Sequence, residues 1–495
     1  MPLCNPILPL DEYIADAEPH VFGERIYLFG SHDKANADTY CMLDYVFWSA
    51  PIGDLSDWSN KGISYSVKQD PNHSDQLKYM YAPDVVQGND GRYYLYYCLS
   101  GKKGKGGYGQ PISVAVCDTP DGKYEYLGVV RNPDGSPMLD YVTFDPAIIN
   151  DGGIIRLYYG TWYPFHERSR LLDRVFHRVE SRMFLKTEKE IASCPEGVMG
   201  ANHAELEEDM LTVKSRPVHI LPNRVKGTSF EKHPFFEASS IRKIGNTYYF
   251  IYSSLHGHEL CYANSQSPDR DFVYRGTIVS NGDVGLRGRK PEHRLNSTGT
   301  NHGSIECVNG SWYVFYHRNT NKTSYSRQVC AEPVTILDDG RIPQAEITST
   351  GLNASPLPAG GVFPASICCN LTNGHMPHLG NGVIRRNIPY IANHAAGQTV
   401  IAVNGTRITY KNFSFPGGTI RLRLSLRADS EGTISVYLSD SDVPAGSLIL
   451  HETKQWEDFT CMLSVPCITA SLSFLYQGKK KVEIKEFEWM EAERH

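Results

Sequence analysis

The chain has 495 residues, 41% hydrophobic and 21% charged, which supplies ample core and excludes global disorder. With 49 basic against 55 acidic residues the net charge is −6, so neither nucleic acid nor an anionic membrane has an electrostatic handle on it. The twelve cysteines form no Cys-x-x-Cys and no zinc-ligand spacing, and no apolar run reaches the ~18 residues of a membrane span. The opening stretch, broken by Pro2, Pro6 and Pro9, lacks a secretory pattern, so the expectation is a cytosolic protein with reduced thiols.

In chain order, five segments repeat one pattern: a polar opener, an apolar strand, a glycine turn and an aromatic strand. They run from Asp16 to Phe29, Pro83 to Tyr97, Asp145 to Tyr159, Glu237 to Tyr252 and His302 to Tyr316. Each reads as a hairpin turned by an Asn-Gly, Asp-Gly or Gly-Asn type pair. Strands such as Ser113 to Cys117 and Leu260 to Ala263 follow some of the hairpins. Units of about 60–90 residues, strand-dominated and repeated five times, predict an all-β fold opening with a five-bladed β-propeller over 1–350. One helical insertion is expected from about Glu167 to Glu190, between the third and fourth blades, where Leu171, Leu172, Val175, Phe176, Val179 and Phe184 recur at near-helical steps.

A Pro/Gly-rich stretch, 351–361, reads as a linker. Beyond it, short strands, alternating at 420–426, 433–438 and 470–475 and apolar at 448–450 and 459–463, predict a separate β-sandwich over 362–495.

The first strand of each propeller blade lines the central channel, so the openers Asp16, Asp84, Asp145, Glu237 and His302 are expected to converge on one axis. Carboxylates crowded there lose hydration and repel, which separates their pKa values as acid/base chemistry requires. Glycoside hydrolysis needs such a pair, one carboxyl protonated and one ionised.

The openers stand in motifs: Asp16 with Pro19-His20-Val21-Phe22, Tyr81-Ala82-Pro83-Asp84, Phe144-Asp145-Pro146, Phe236-Glu237-Ala238-Ser239 and Asn301-His302-Gly303-Ser304. Together, over about residues 5–350, these resemble glycoside hydrolase family 43. The resemblance implies an inverting propeller hydrolase in which Asp16 is the general base, Glu237 the general acid and Asp145 the carboxylate that orients the acid and raises its pKa. Glu18 is a rival for the base, because Asp16-Ala17 stands where Asp-Pro is common. The resemblance gives His302 a channel position on a hard cation such as calcium, or on ordered water. His20, Tyr81, Asp84, Trp162 and Arg327 are candidate sugar contacts, with Phe144 and Phe236 as apolar walls. In the second domain, segments around Tyr410 and Trp456 resemble a family 6 carbohydrate-binding module, a structural sandwich being the alternative.

The expected activity is release of terminal α-L-arabinofuranosyl groups from plant-derived oligosaccharides carrying arabinose or xylose, without an organic cofactor. A β-xylosidase on the same scaffold and a non-catalytic sugar-binding propeller are the alternatives. Three carboxylates on three openers argue against a lectin, which gains nothing from them.

Overall fold

A computed structural model describes residues 4–164, 173–194, 197–353, 355–380, 386–439 and 441–491. Five antiparallel sheets follow one another along the chain, each strand pairing with the next. They are β1 (Ile14–Phe22), β2 (Arg25–His32), β3 (Tyr45–Pro51), β4 (Ser59–Tyr65); β5 (Tyr79–Gln87), β6 (Tyr93–Ser100), β7 (Ser113–Cys117), β8 (Glu125–Val129); β9 (Ala147–Asp151), β10 (Ile154–Thr161), β11 (Gly200–Leu206), β12 (Val218–His219); β13 (Phe235–Ile244), β14 (Thr247–Ser254), β15 (Glu259–Ser265), β16 (Val273–Ser280); and β17 (Ser304–Val308), β18 (Ser311–Asn319), β19 (Arg327–Val334). This is the five-bladed propeller expected of the repeat. Its last blade is completed by the N-terminal segment: the Ile7 N–H donates to Val329 O, and Asn5 Nδ2 reaches Ala331 O at 3.0 Å. The N-terminal segment and the fifth blade thus close the ring.

The first turn of every blade carries a glycine with positive φ (Gly23, Gly91, Gly152, Gly245 and Gly310), the backbone state these tight turns require. A second repeated feature lies at the other end of the first strands. In blades one, two and four, two residues oppose one: the register skips between Ala15 and Glu18, between Tyr81 and Asp84, and between Glu237 and Ser240. The leading bulge residues Asp16, Ala82 and Ala238 are left-handed, as is Asp145 at the matching place in blade three. Opposite the first bulge stands Gly30, where a Cβ would meet Ala15 O at 2.5 Å. Left-handed non-glycine residues cost about 1–3 kcal/mol each, and bulges characteristically re-aim side chains beside functional sites.

The helical insertion consists of α1 (Asp173–Phe184) and α2 (Glu188–Ala192). It lies between β10 and β11, inside blade three rather than between blades three and four. The short β11 and β12 supply that blade's outer strands, and the repeat did not reveal them. Phe184 and Ile191 bury into the core, while Val175 and Val179 face solvent. Leu171 and Leu172 fall outside the described residues.

The C-terminal domain is one curled ten-stranded sheet. The strands expected at 433–438 and 448–450 are β26 (Gly432–Leu438) and β27 (Gly446–Leu450), whereas 420–426 extends into β25 (Thr406–Ala428), and 459–463 and 470–475 merge into β28 (Glu457–Gly478), which pairs with β25 along nearly its whole length; the introducing strands are β20 (Leu357–Pro358), β21 (Gly361–Pro364), β22 (Asn370–Thr372), β23 (Tyr390–His394) and β24 (Gly397–Ala402). Gly417 and Gly418, both at positive φ, sit mid-way along β25 and let it turn without ending. Within the 351–361 stretch, Leu357–Pro358 already pairs with β25, and Gly361–Pro364 pairs with Val482–Glu491, the last strand. No helix among the described residues is long and apolar enough to cross a membrane.

Candidate active site

Alignment on the bulge, rather than on the acids, resolves the openers into two layers. Asp16 and Asp145 are the left-handed residues themselves, and Glu237 immediately precedes its bulge. Asp84 follows its bulge and matches Glu18 and Ser240, one layer deeper. His302 belongs to the upper layer, because Gly303 bridges to Ala17.

The upper layer is tightly linked. Asp145 Oδ2 accepts the Ala238 N–H at 3.0 Å, which ties it to the residue after Glu237. His302 Nδ1 lies 3.7 Å from Asp16 Oδ1 and 3.9 Å from Asp145 Oδ2, so one imidazole nitrogen stands between two carboxylates. Arg327 Nη1 donates to Asp16 Oδ1 at 2.5 Å, while its Nε and Nη2 grip Asp33 at 2.8 and 3.1 Å. The Asp16 N–H points at His317 Nδ1 (3.3 Å), which places the imidazole proton on Nε2, 2.6 Å from Thr300 O. The guanidinium also lies 4.8 Å over the Tyr40 ring.

These contacts push like groups in opposite directions. Burial alone would raise Asp16, but Arg327, with smaller contributions from His302 and His317, holds it down to about 2. Burial lowers His302 to about 4 and His317 to about 3, so both are neutral near pH 7 and Arg327 is the cation that matters there. Glu237 is raised well above the usual carboxyl range by desolvation and then by the charges of Asp145 and Asp16. Desolvation also raises Asp145, against the pull of the Ala238 N–H. Within this pair the N–H favours charge on Asp145, leaving the proton to Glu237.

The walls are aromatic. Phe144 packs on Tyr81 and Tyr108, with ring centres 6.2 and 4.6 Å apart, and Tyr108 meets Phe184 of the helical insertion. Phe236 is partly exposed and meets Tyr163 edge-on at 5.1 Å. Trp162, a candidate sugar contact, is 5% exposed and shares one buried cluster with Tyr81 and Phe144; its backbone N–H donates to Phe236 O.

Other expectations change as well. His20 and Asp84 pair with each other at 2.7 Å, and Asp84 also accepts the Ile148 N–H, so both belong to the deeper layer rather than to the sugar pocket. His20 lies roughly 13 Å beyond Asp16 along β1, at 3.3 Å per residue. Glu18 is 1% exposed, bonded to Ser240 and Arg242, and pushed up to about 8 by burial and the Asp84 charge, which disqualifies it as an ionised base. Arg327, a candidate sugar contact, reaches the carboxylate expected as the base. His302 stands within 4 Å of both Asp16 and Asp145. Asp33 and His317 went unnoticed in the sequence; a register count offers Asp33, since Ile14 pairs with His32 and the next step sets Asp33 beside Tyr13.

Among the described residues, the donor atoms that converge in the channel are those of Glu18, His20 and Asp84, all within 4.8 Å of one another. Glu18 Oε1 is buried there without a hydrogen-bond partner. The two carboxylates suit a hard cation, while the imidazole is a nitrogen donor more typical of borderline metals. His302 is not part of this set.

The sequence model of the glycosyl hydrolases family 43 matches residues 5–342. The chain belongs to glycosyl hydrolase family 43. A relative from Thermoclostridium stercorarium, described as a xylosidase/arabinosidase, is 40% identical over 98% of this chain and 98% of its own. Another from Humicola insolens, xylosidase/arabinosidase 43A, is 30% identical over 67% of this chain and 96% of its own. The crystal structure of a GH43_1 enzyme from Xanthomonas citri superposes with a TM-score of 0.52 at 25% identity, covering 72% of this chain and 95% of that one. As a family 43 member the protein is a glycoside hydrolase, and the two carboxyl environments described above are the chemistry such a hydrolase uses.

Proposed function

We propose that the protein is an inverting exo-glycosidase that removes terminal α-L-arabinofuranosyl groups from plant-derived oligosaccharides. The observation that carries the mechanism is the opposed protonation of Asp16 and Glu237. Asp16, kept ionised by Arg327, takes a proton from water as that water attacks the anomeric carbon. Glu237, kept protonated by its desolvation and by Asp145, donates to the departing oxygen. Asp145 touches no bond that changes; its charge and its link to Ala238 orient and tune the acid. Phe236 and Phe144 wall the pocket and keep the dielectric low.

The sugar assignment is supported by the relatives' description as xylosidase/arabinosidases. A β-xylosidase reading draws on the same words and on a relative from Xylanibacter ruminicola described as a beta-xylosidase. Assay of p-nitrophenyl α-L-arabinofuranoside beside the β-D-xyloside separates the two: the arabinofuranoside is expected to have the higher kcat/KM, and the reverse order moves the assignment to xylosidase. NMR of the first-formed sugar tests inversion, because retention yields the opposite anomer.

The channel residues Glu18, His20 and Asp84 fit a calcium-class cation. Bound there, it would supply charge compensation for two buried carboxylates beneath the reacting layer, with no part in proton transfer.

A further inference from the structure

The C-terminal domain touches the propeller beside the catalytic layer. The hairpin of β23 and β24 meets the ends of β18 and β19, the strands that lead into Arg327. Two routes of buried hydrogen bonds run from it. In the first, Asn393 Nδ2 donates to Thr320 Oγ1 at 2.9 Å, and the Thr320 hydroxyl and N–H both donate to Ser326 O, at 2.8 and 3.0 Å. Ser326 directly precedes Arg327, and its own hydroxyl donates to Lys34 O, in the loop that follows Asp33. In the second, Gln398 Nε2 lies 3.2 Å from Gln328 Oε1, the residue directly after Arg327. Gln328 in turn donates to Leu10 O at 2.9 Å and Glu12 O at 3.1 Å. Backbone contacts reinforce both routes: the Asn321 N–H donates to Ile391 O, and Asn36 Nδ2 donates to Asn393 O at 2.8 Å.

We propose that this hairpin is a positioning element of the active site, with Asn393 and Gln398 holding the residues on either side of Arg327 so that its guanidinium meets Asp16. Asn393, Gln398, Thr320, Ser326 and Gln328 are all buried, so each hydrogen bond lost leaves an unpaired polar group that the backbone must shift to satisfy. Arg327 has little slack, since it spans Asp16, Asp33 and the Cys41 sulfur at once. Displacement by even a fraction of an ångström trades one of those contacts for another. The domain's contribution to catalysis is then mechanical support of the base, independent of any sugar bound by the domain itself. This rests on Asp16 being the base.

The test uses full-length protein and an aryl glycoside. Asn393→Ala, Gln398→Ala and Thr320→Val are each expected to lower kcat about ten-fold with KM within about two-fold, the pattern of a lost transition-state contribution. Thr320→Ser, which keeps the hydroxyl, is expected to stay near wild type. Thr320→Val is close in shape to threonine, so it keeps the question open if Asn393→Ala does not fold. Wild-type kcat in folded Asn393→Ala and Thr320→Val overturns the proposal, as does a rise in KM alone, or equal losses in Thr320→Ser and Thr320→Val. An active Asp16→Asn would instead overturn the base assignment, so the two failures are distinguishable.

Discussion

The propeller channel holds two layers of acids, and β1 gives one acid to each, two residues apart and shifted in opposite directions. In the upper layer Asp16 is held near 2; in the lower one Glu18 is pushed up to about 8. Both are buried and both face an arginine. Arg327 meets Asp16 at 2.5 Å, whereas Arg242 is divided among Glu18 at 3.2 Å, Pro19 O at 2.6 Å, Ile241 O at 2.8 Å and Glu306 at 3.4 Å. Glu18 also lies against the charge of Asp84. Burial therefore does not distinguish a reacting acid from a structural one. The shorter arginine contact does, 2.5 Å at Asp16 against 3.2 Å at Glu18, together with a place in the layer that also holds Asp145, Glu237 and His302.

The sharpest break between the layers is expected from neutral, near-isosteric changes. Asp16→Asn and Glu237→Gln each remove a proton-transfer role and are expected to cost roughly 10²–10⁴-fold in kcat while the protein stays folded. Glu18→Gln, two residues along the same strand, changes a group bonded to Ser240 and Arg242 rather than to the reacting layer and is expected to leave kcat within about three-fold. Comparable losses in all three variants would erase the distinction between the layers.

A smaller effect follows from the arginine. Arg327→Lys replaces a planar fork with a point charge that cannot hold Asp33 and Asp16 together. The Asp16 pKa then rises toward its ordinary value. Because the ionised form is the active one, activity is lost as pH falls through that pKa, and the loss begins at higher pH in the variant. A kcat/KM profile should show a larger deficit at pH 4 than at pH 7. A deficit equal at all pH values would mean that Arg327 acts on geometry alone. In both proteins the alkaline limb follows Glu237, whose active protonated form is lost as pH rises through its elevated pKa.

The five blades were legible because hairpin periodicity and turn glycines are local signals. The layers were not, because a bulge changes register without leaving a composition mark. Asp84 reads as an opener when acids are aligned, yet lies with Ser240 when the bulges are. Asp33 and His317 became visible only through strand pairing, which is a tertiary fact. Tyr410, a candidate for sugar stacking, has the sequence context of an exposed strand residue, but its hydroxyl donates to Ala365 O inside the core. Helical periodicity found the insertion, and the unseen outer strands of blade three misplaced it.

The lower layer gives the next prediction. If Glu18, His20 and Asp84 hold a calcium-class cation, calcium should raise the Tm of chelator-treated protein by a few degrees through preferential binding to the folded state. Asp84→Asn should reduce that rise, while Asp145→Asn in the upper layer should not. A Tm indifferent to both chelator and calcium would leave the lower layer as a hydrogen-bonded plug, with its proton on Glu18.

The smallest effect is expected farthest from the channel, where the second domain could contact polymer. Trp456 is 40% exposed, the one candidate stacking ring on that surface once Tyr410 is assigned to the core. Its face is occupied: the Arg427 guanidinium lies 5.2 Å over the ring and is itself anchored to Glu483 at 2.6 Å. A sugar would have to displace a cation whose attraction at an exposed site is about 0.5–1 kcal/mol, and would gain one aromatic face in return. Trp456→Ala is therefore expected to change retention on arabinoxylan in affinity electrophoresis by less than about two-fold, with kcat unaltered. A ten-fold loss of retention would show that Arg427 yields to the sugar, making the domain a carbohydrate anchor as well as a support for Arg327.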